Sequence, residues 1–149
     1  MRFTTTPVAG SGGRVVVPVP FDPDALWGAK ARHLVGGTIG GHRVRGSIER
    51  TGDGFALTFG PAACVPAGAA VDADLEPEGP QRADLAEDFA AALAATPAAG
   101  AFFDALAQFY RKAYVRWIEA TKRRPDERAR RIAEVIALLE AGRKERPKP

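Results

Sequence analysis

The chain is 149 residues long, about the size of one compact domain and too short for two ordinary ones. Hydrophobic residues make up 46% and charged residues 26%, with a net charge of +3, a balance that excludes an intrinsically disordered chain. No apolar run approaches the roughly 18 residues of a membrane-spanning helix.

Two features predict a cytoplasmic location. Residues 1–7 lack the apolar core of a secretory signal. The single cysteine, Cys64, cannot form an intramolecular disulfide.

Charge is distributed unevenly along the chain. Residues 1–60 contain 7 basic and 4 acidic side chains, residues 61–110 contain 1 and 8, and residues 111–149 contain 13 and 6. Such asymmetry indicates either a nucleic-acid surface or internal pairing of acidic and basic regions, and the small net charge slightly favours internal pairing.

The first half of the chain has the pattern of short β-strands. Apolar and branched residues alternate or cluster over 14–17, 33–39, 42–48, 55–59 and 71–75. Gly40-Gly41 separates two of these runs and predicts a hairpin with a two-residue turn. Short, evenly spaced strands with interior glycines predict a small β-barrel over residues 1–78.

The apolar period becomes helical after a stiff linker at 77–80. Asp84 and Glu87 resemble a capping box that opens a first helix, and Thr96-Pro97 marks the start of a second. Aromatic residues at intervals of three and four then predict one long helix, or two with a kink near Gln108. A last helix follows Pro125 and ends before Gly142. The predicted fold class is α+β, with a bundle of three to four helices over 79–149.

The sequence contains no convincing catalytic set. His33 and His42 have no partner at metal-ligand spacing, so no metal or other cofactor is predicted. The glycines at 10–13 lack the lysine and the following helix of a phosphate-binding loop. A binding protein is therefore favoured over an enzyme.

The basic stretch 111–131 contains nine Lys or Arg side chains and three acids. One interpretation is a solvated face whose charges pair locally at i,i+4 spacing. The other is a nucleic-acid-binding surface, because basic helices with interleaved aromatic residues are typical of such surfaces. Its contacts would be Lys112, Arg116, Lys122, Arg123 and Arg124.

Arg128 and Arg131 have helical positions one turn before Ile132 and Val135, which predicts that both point toward the packed side of the last helix. An inward guanidinium needs a partner, and the acids between 72 and 88 could provide it. This arrangement favours a clamp between helices and barrel over an anion-binding site. Trp117 lies in the aromatic stripe and is predicted to belong to the core.

Trp27 lies in an irregular segment near Lys30, where an aromatic ring could stack on a ligand. The candidate ligand-binding residues are Trp27, Lys30, Lys122, Arg123, Arg128 and Arg131.

Several motifs resemble a known family. In the second half these are Phe102–Leu106, Tyr114–Ile118, Thr121–Arg124 and Arg128–Ile132, which resemble the helical region of the YdeI/OmpD-associated family, also called bacteriocin-protection proteins. In the first half they are Val19–Asp22, Trp27-Gly28, Gly46-Ser47 and Glu78–Pro80, which are similar to the small β-barrel of unknown function that often precedes that region. Together the resemblance covers most of residues 14–146.

The resemblance implies a bacterial protein linked to tolerance of bacteriocins or cationic antimicrobial peptides, and it brings no catalytic residues with it. Glu127 stands where the family usually has Thr, which removes a hydroxyl contact. We therefore expect a non-enzymatic binding or stress-protection module for a small molecule or peptide, acting as a monomer or weak homodimer. The alternative is a nucleic-acid-binding protein.

Overall fold

In the computed structural model, which describes residues 1–148, the chain divides into two compact units, Met1–Glu78 and the part that begins at Gly79. The first is a curled antiparallel sheet and the second is helical, so the predicted α+β class is confirmed. Each unit has its own cluster of buried apolar side chains.

Seven strands form the first unit, in the spatial order β1-β7-β4-β5-β6-β3-β2, with all pairs antiparallel. Their bounds are β1 Arg2–Thr5, β2 Val8–Ala9, β3 Val15–Val19, β4 His33–Ile39, β5 His42–Thr51, β6 Gly54–Phe59 and β7 Val71–Pro77. A short helix, α1 (Pro23–Trp27), lies between β3 and β4. The sequence pattern did not predict β1 or β2.

The sheet curls into a half-barrel. Residues 42–48 of β5 pair with β4 and residues 49–51 pair with β6, so the two ends of one strand belong to different neighbours. Near the outer strands, the Thr5 hydroxyl donates a hydrogen bond to the Pro18 carbonyl at 2.6 Å, which links β1 to β3. The curled sheet encloses the first apolar core, which includes Val17, Ile39 and Leu75.

The predicted β4–β5 hairpin is present with Gly40-Gly41 as its turn. Both glycines have positive φ, +55° and +82°, in the left-handed region that residues with a Cβ rarely adopt. The turn thus fixes the register in which Ile39 opposes His42.

Residues 79–148 of the second unit form four α-helices: α2 Glu87–Ala95, α3 Pro97–Ala105, α4 Gln108–Glu119 and α5 Pro125–Glu140. Pro97 occupies a first-turn position, as predicted, because the missing proline N–H has no partner to lose there. Pro125 also lies in the first turn of its helix, whereas the sequence predicted a helix that follows it. Gly142 follows the last helix with φ +74°. Apolar side chains from all four helices form the second core.

Two helical predictions need correction. Asp84 does not open a helix: its carboxylate caps a single 3-10 turn at Arg82–Asp84, and α2 begins at Glu87. Trp117 packs against the core but is only half-buried at its edge, where its ring also contacts two arginine side chains. For the aromatic stretch, the alternative of two helices is confirmed, because the backbone becomes extended at Leu106 after α3 ends and α4 begins at Gln108.

Candidate ligand-binding pocket

A histidine–carboxylate pair lies at the start of β4. The His33 ring is 7% exposed, and its Nε2 lies 2.5 Å from Oδ1 of Asp24. Asp24 is held in place by the first turn of α1, where the Asp22 carboxylate accepts its backbone N–H at 2.9 Å. The pair therefore joins the short helix to the sheet.

The Asp24 carboxylate is ionised in this arrangement. The hydrogen bond from His33, more than any other contact, holds the pKa of Asp24 below its usual value, and the backbone N–H of Lys30 adds to the effect at 3.3 Å. The Asp24 carboxylate thus already accepts hydrogen bonds from His33 and from the Lys30 backbone.

The pair borders a cavity of about 370 Å³. That volume suits a small organic molecule. The lining residues are Pro23, Asp24, Lys30, Ala31, Arg32, His33, Ser47, Ile48, Glu49, Arg50 and Phe55.

The cavity has more basic than acidic side chains. The lining residues include three basic side chains, Lys30, Arg32 and Arg50, and two acidic ones, Asp24 and Glu49. The Asp24 carboxylate is hydrogen-bonded to His33. The Arg50 guanidinium lies 4.7 Å from the centroid of the Phe55 ring, which is a cation–π contact. A guanidinium beside an apolar ring is suited to an anionic group on a partly apolar ligand.

Two of the sequence-predicted residues lie in this region. Lys30 lines the cavity. Trp27 does not line it but packs behind it, with its ring centroid 5.2 Å from that of Phe21 and 6.4 Å from that of His33. Trp27 therefore supports the cavity wall against the apolar core of the half-barrel.

The other four predicted residues lie in the helical unit. Lys122 and Arg123 are exposed in the turn between α4 and α5. Arg128 pairs with Asp88 and Glu119, while Arg131 donates to the Trp117 carbonyl at 2.8 Å and contacts Glu127 at 3.3 Å. Arg128 thus pairs with an acid of the predicted stretch 72–88, but Asp88 belongs to α2 and not to the barrel. Arg131 has its partners on α4 and α5, outside that stretch.

Sequence reasoning missed the His33–Asp24 pair and the role of Arg111. Asp24 and His33 are nine residues apart in a segment without periodicity, so no pattern could join them. Arg111 is 2% exposed and donates to the carbonyls of Leu106, Asp104 and Pro80. Its spacing from Tyr114 and Ile118, three and seven residues, was a usable signal of a buried position.

Residues 1–148 contain no group of three His, Cys, Asp or Glu side chains that could hold a metal ion. In the same part of the chain, no helix has the length and apolar character needed to cross a bilayer.

Comparisons with known proteins divide the chain as the structure does. Residues 4–76 match the family model of a domain of unknown function (DUF1905). Residues 82–142 match the model described as bacteriocin-protection, YdeI or OmpD-associated. The chain matches no curated protein.

Proposed function

Because the chain joins a domain of unknown function (DUF1905) to a YdeI/OmpD-associated, bacteriocin-protection domain, we propose that it is a non-enzymatic binding module in stress protection. Its ligand is a small organic anion held in the half-barrel cavity beside His33 and Asp24. The observation that supports this proposal most strongly is the excess of basic side chains around a cavity of ligand size.

The geometry favours binding over catalysis. Within residues 1–148 the His33 ring has Asp24 as its hydrogen-bond partner, and no hydroxyl or thiol is hydrogen-bonded to it. A nucleophile and its base must lie within hydrogen-bond reach of each other, and that pairing does not occur at this ring. The His33–Asp24 pair instead positions the cavity wall, and its hydrogen bond occupies the negatively charged Asp24 carboxylate.

The test is a titration of the protein with a panel of small carboxylates and phosphate esters, followed by NMR of the backbone amides and the His33 ring. We expect shifts centred on the cavity. Changing Arg50→Gln should weaken binding roughly 10-fold, because a charge-assisted contact is worth about 1.5 kcal/mol. Shifts confined to other regions, or equal affinity for Arg50→Gln, would contradict the proposal.

The matched control is the double variant Lys122→Gln and Arg123→Gln, which removes two positive charges from the α4–α5 turn. It also tests the second candidate function, nucleic-acid binding. The observation that favours this candidate is that the side chains of Lys112, Arg116, Lys122, Arg123 and Arg124 are all exposed and have no partner within residues 1–148.

Nucleic-acid binding would appear as affinity for DNA or RNA that falls steeply with salt and is weakened in the control variant, which removes two of the five cations. Anion binding in the cavity would be unchanged in that variant. Comparison of Arg50→Gln with the double variant Lys122→Gln and Arg123→Gln therefore distinguishes the two functions.

A further inference from the structure

Three aromatic residues of α4 form a row along one side of the helix. Tyr110, Tyr114 and Trp117 follow i, i+4, i+7 spacing, which places them on one face over about 10 Å of helix length. Tyr114 is buried, while Tyr110 and Trp117 are half-buried at its two sides. We call these three residues the α4 aromatic row.

The segment that follows α5 lies against this row through three contacts. The Lys144 ammonium is 5.4 Å from the centroid of the Tyr110 ring, and the Arg146 guanidinium is 4.1 Å from that of Trp117. Between them, the Tyr114 hydroxyl donates to the Arg143 carbonyl at 2.8 Å. Each aromatic residue thus contacts a different residue of the basic segment Arg143–Arg146.

The chemistry of these contacts is that of peptide recognition. Two aromatic rings accept cationic side chains two residues apart, and a central hydroxyl binds the backbone between the ends of the row. The two ring contacts are made by side chains beyond the end of α5, whereas the Arg143 backbone also closes that helix, because its N–H donates to the Leu138 carbonyl at 2.8 Å. A basic segment of another chain could make the two ring contacts and offer a backbone carbonyl to the Tyr114 hydroxyl.

Trp117 is prepared for this role by its own neighbours. Arg131 donates to the Trp117 carbonyl and lies 4.7 Å from its ring centroid, which fixes the ring. The charge of Arg131 is offset by Glu127 at 3.3 Å, so repulsion of a second cation is reduced. Burial, with a smaller contribution from Glu145, raises the pKa of the Tyr114 hydroxyl, so it remains a donor at neutral pH.

We propose that the α4 aromatic row is a binding site for a basic peptide segment with Lys or Arg side chains two residues apart, and that residues 143–146 occupy this site in the free protein. An incoming peptide must then displace the chain's own segment. The inference is independent of the anion cavity proposed above, because every residue in it belongs to the helical unit.

The experiment measures anisotropy of a dye-labelled peptide with the sequence of residues 143–148, titrated with the full chain. The test variant is Lys144→Ser with Arg146→Ser, which removes both cation–π contacts of the resident segment. Cation–π contacts at exposed sites are worth about 0.5–1 kcal/mol each. We therefore expect the test variant to bind the peptide about 5-fold to 30-fold more tightly than the unchanged chain.

The matched control is Arg143→Ser with Lys148→Ser, which removes the same charge from the same segment but keeps both ring contacts. It should bind the peptide as weakly as the unchanged chain. Equal tightening in both variants would show a general charge effect and overturn the proposal, as would no binding by any variant.

A second arm tests the row itself. Within the test variant, Trp117→Leu or Tyr110→Leu should each reduce peptide affinity by about 2-fold to 5-fold, the value of one ring contact. Circular dichroism reports whether each variant is folded. If Trp117→Leu does not fold, Tyr110→Leu is used for the test. Unchanged affinity in a folded variant would overturn the proposal.

Discussion

At the scale of single residues, the helical unit is organised by arginines that bind fixed acceptors. Arg111 is buried and satisfies three backbone carbonyls between residues 80 and 106. Arg128 is 13% exposed and makes a two-pronged contact with Asp88, at 2.5 and 2.8 Å, and a third bond to Glu119. These arginines hold together helices and loops that are distant in sequence, which apolar packing alone does not specify.

We expect Arg128→Met to lower the free energy of unfolding by about 1–2 kcal/mol. A hydrogen-bonded charge pair contributes more than an open surface pair, but Asp88 is 50% exposed, so solvent screens part of the interaction. Chemical denaturation at pH 7 measures the change. The control is Arg130→Met, whose side chain is 74% exposed beside Glu127 and should cost less than about 0.5 kcal/mol.

The Arg128 contact also predicts a pH dependence. The hydrogen bond from Arg128 is the main reason that the pKa of Asp88 lies below its usual value in the folded protein. The unfolded chain then binds more protons in acid, so this contribution is present above about pH 4 and is lost as pH falls through the folded pKa. The stability difference between the unchanged chain and Arg128→Met should shrink below about pH 3, and a constant difference would contradict the assignment.

At the scale of secondary-structure elements, the close approach of the β4 and β7 backbones limits which residue fits at one position of β4. Gly37 in β4 has φ +151°, and a Cβ at this position would lie 1.9 Å from the Asp74 carbonyl oxygen on β7. Its neighbour Gly36 has room, since the nearest atom to a Cβ there is 3.7 Å away. The β4–β7 pairing thus requires glycine at position 37 but not at position 36.

We expect Gly37→Ala to destabilise the protein by roughly 2–4 kcal/mol, because the strained backbone and the clash with β7 must both be relieved. Gly36→Ala, in the same strand, should change stability by less than about 1 kcal/mol. Thermal and denaturant unfolding of the two variants gives the comparison. Similar losses for both would show that the β4–β7 approach is looser than the distances indicate.

At the scale of the whole molecule, two separate apolar cores divide the chain at residue 78. The core of the half-barrel includes Leu57 and Leu75, and the helical core includes Phe89, Phe103 and Val135. The two family models end and begin on either side of the same point. Each unit therefore has the elements of an independent fold.

We predict that residues 1–78 and residues 79–149 fold as separate fragments. Cores of this size supply only about 3–5 kcal/mol, so each fragment should be less stable than an average domain. Circular dichroism should show strand content in the first fragment and helix in the second, each with a cooperative thermal transition. A fragment without such a transition would contradict the division into independent units.

The sequence by itself determined the order and type of most elements. Apolar period, the Gly40-Gly41 turn and the first-turn prolines Pro97 and Pro125 are local signals, because each depends on residues within one or two turns of the chain. The alternation that predicted β4 and β5 and the period that predicted α5 were therefore readable without tertiary contacts. The α+β class followed from the change of period at the 77–80 linker.

Only the tertiary structure decided which charged groups meet. Asp24 and His33 lie nine residues apart across an irregular segment that carries no signal of their pairing. For Arg128 the sequence indicated only an acid between 72 and 88, and the tertiary structure selected Asp88, forty residues away on another helix. Trp117 shared the core spacing but lies half-buried at the edge of the core, where Arg131 and Arg146 contact its ring. A local pattern reports which face of an element is buried, whereas the partner on that face is set by the packing of elements distant in sequence.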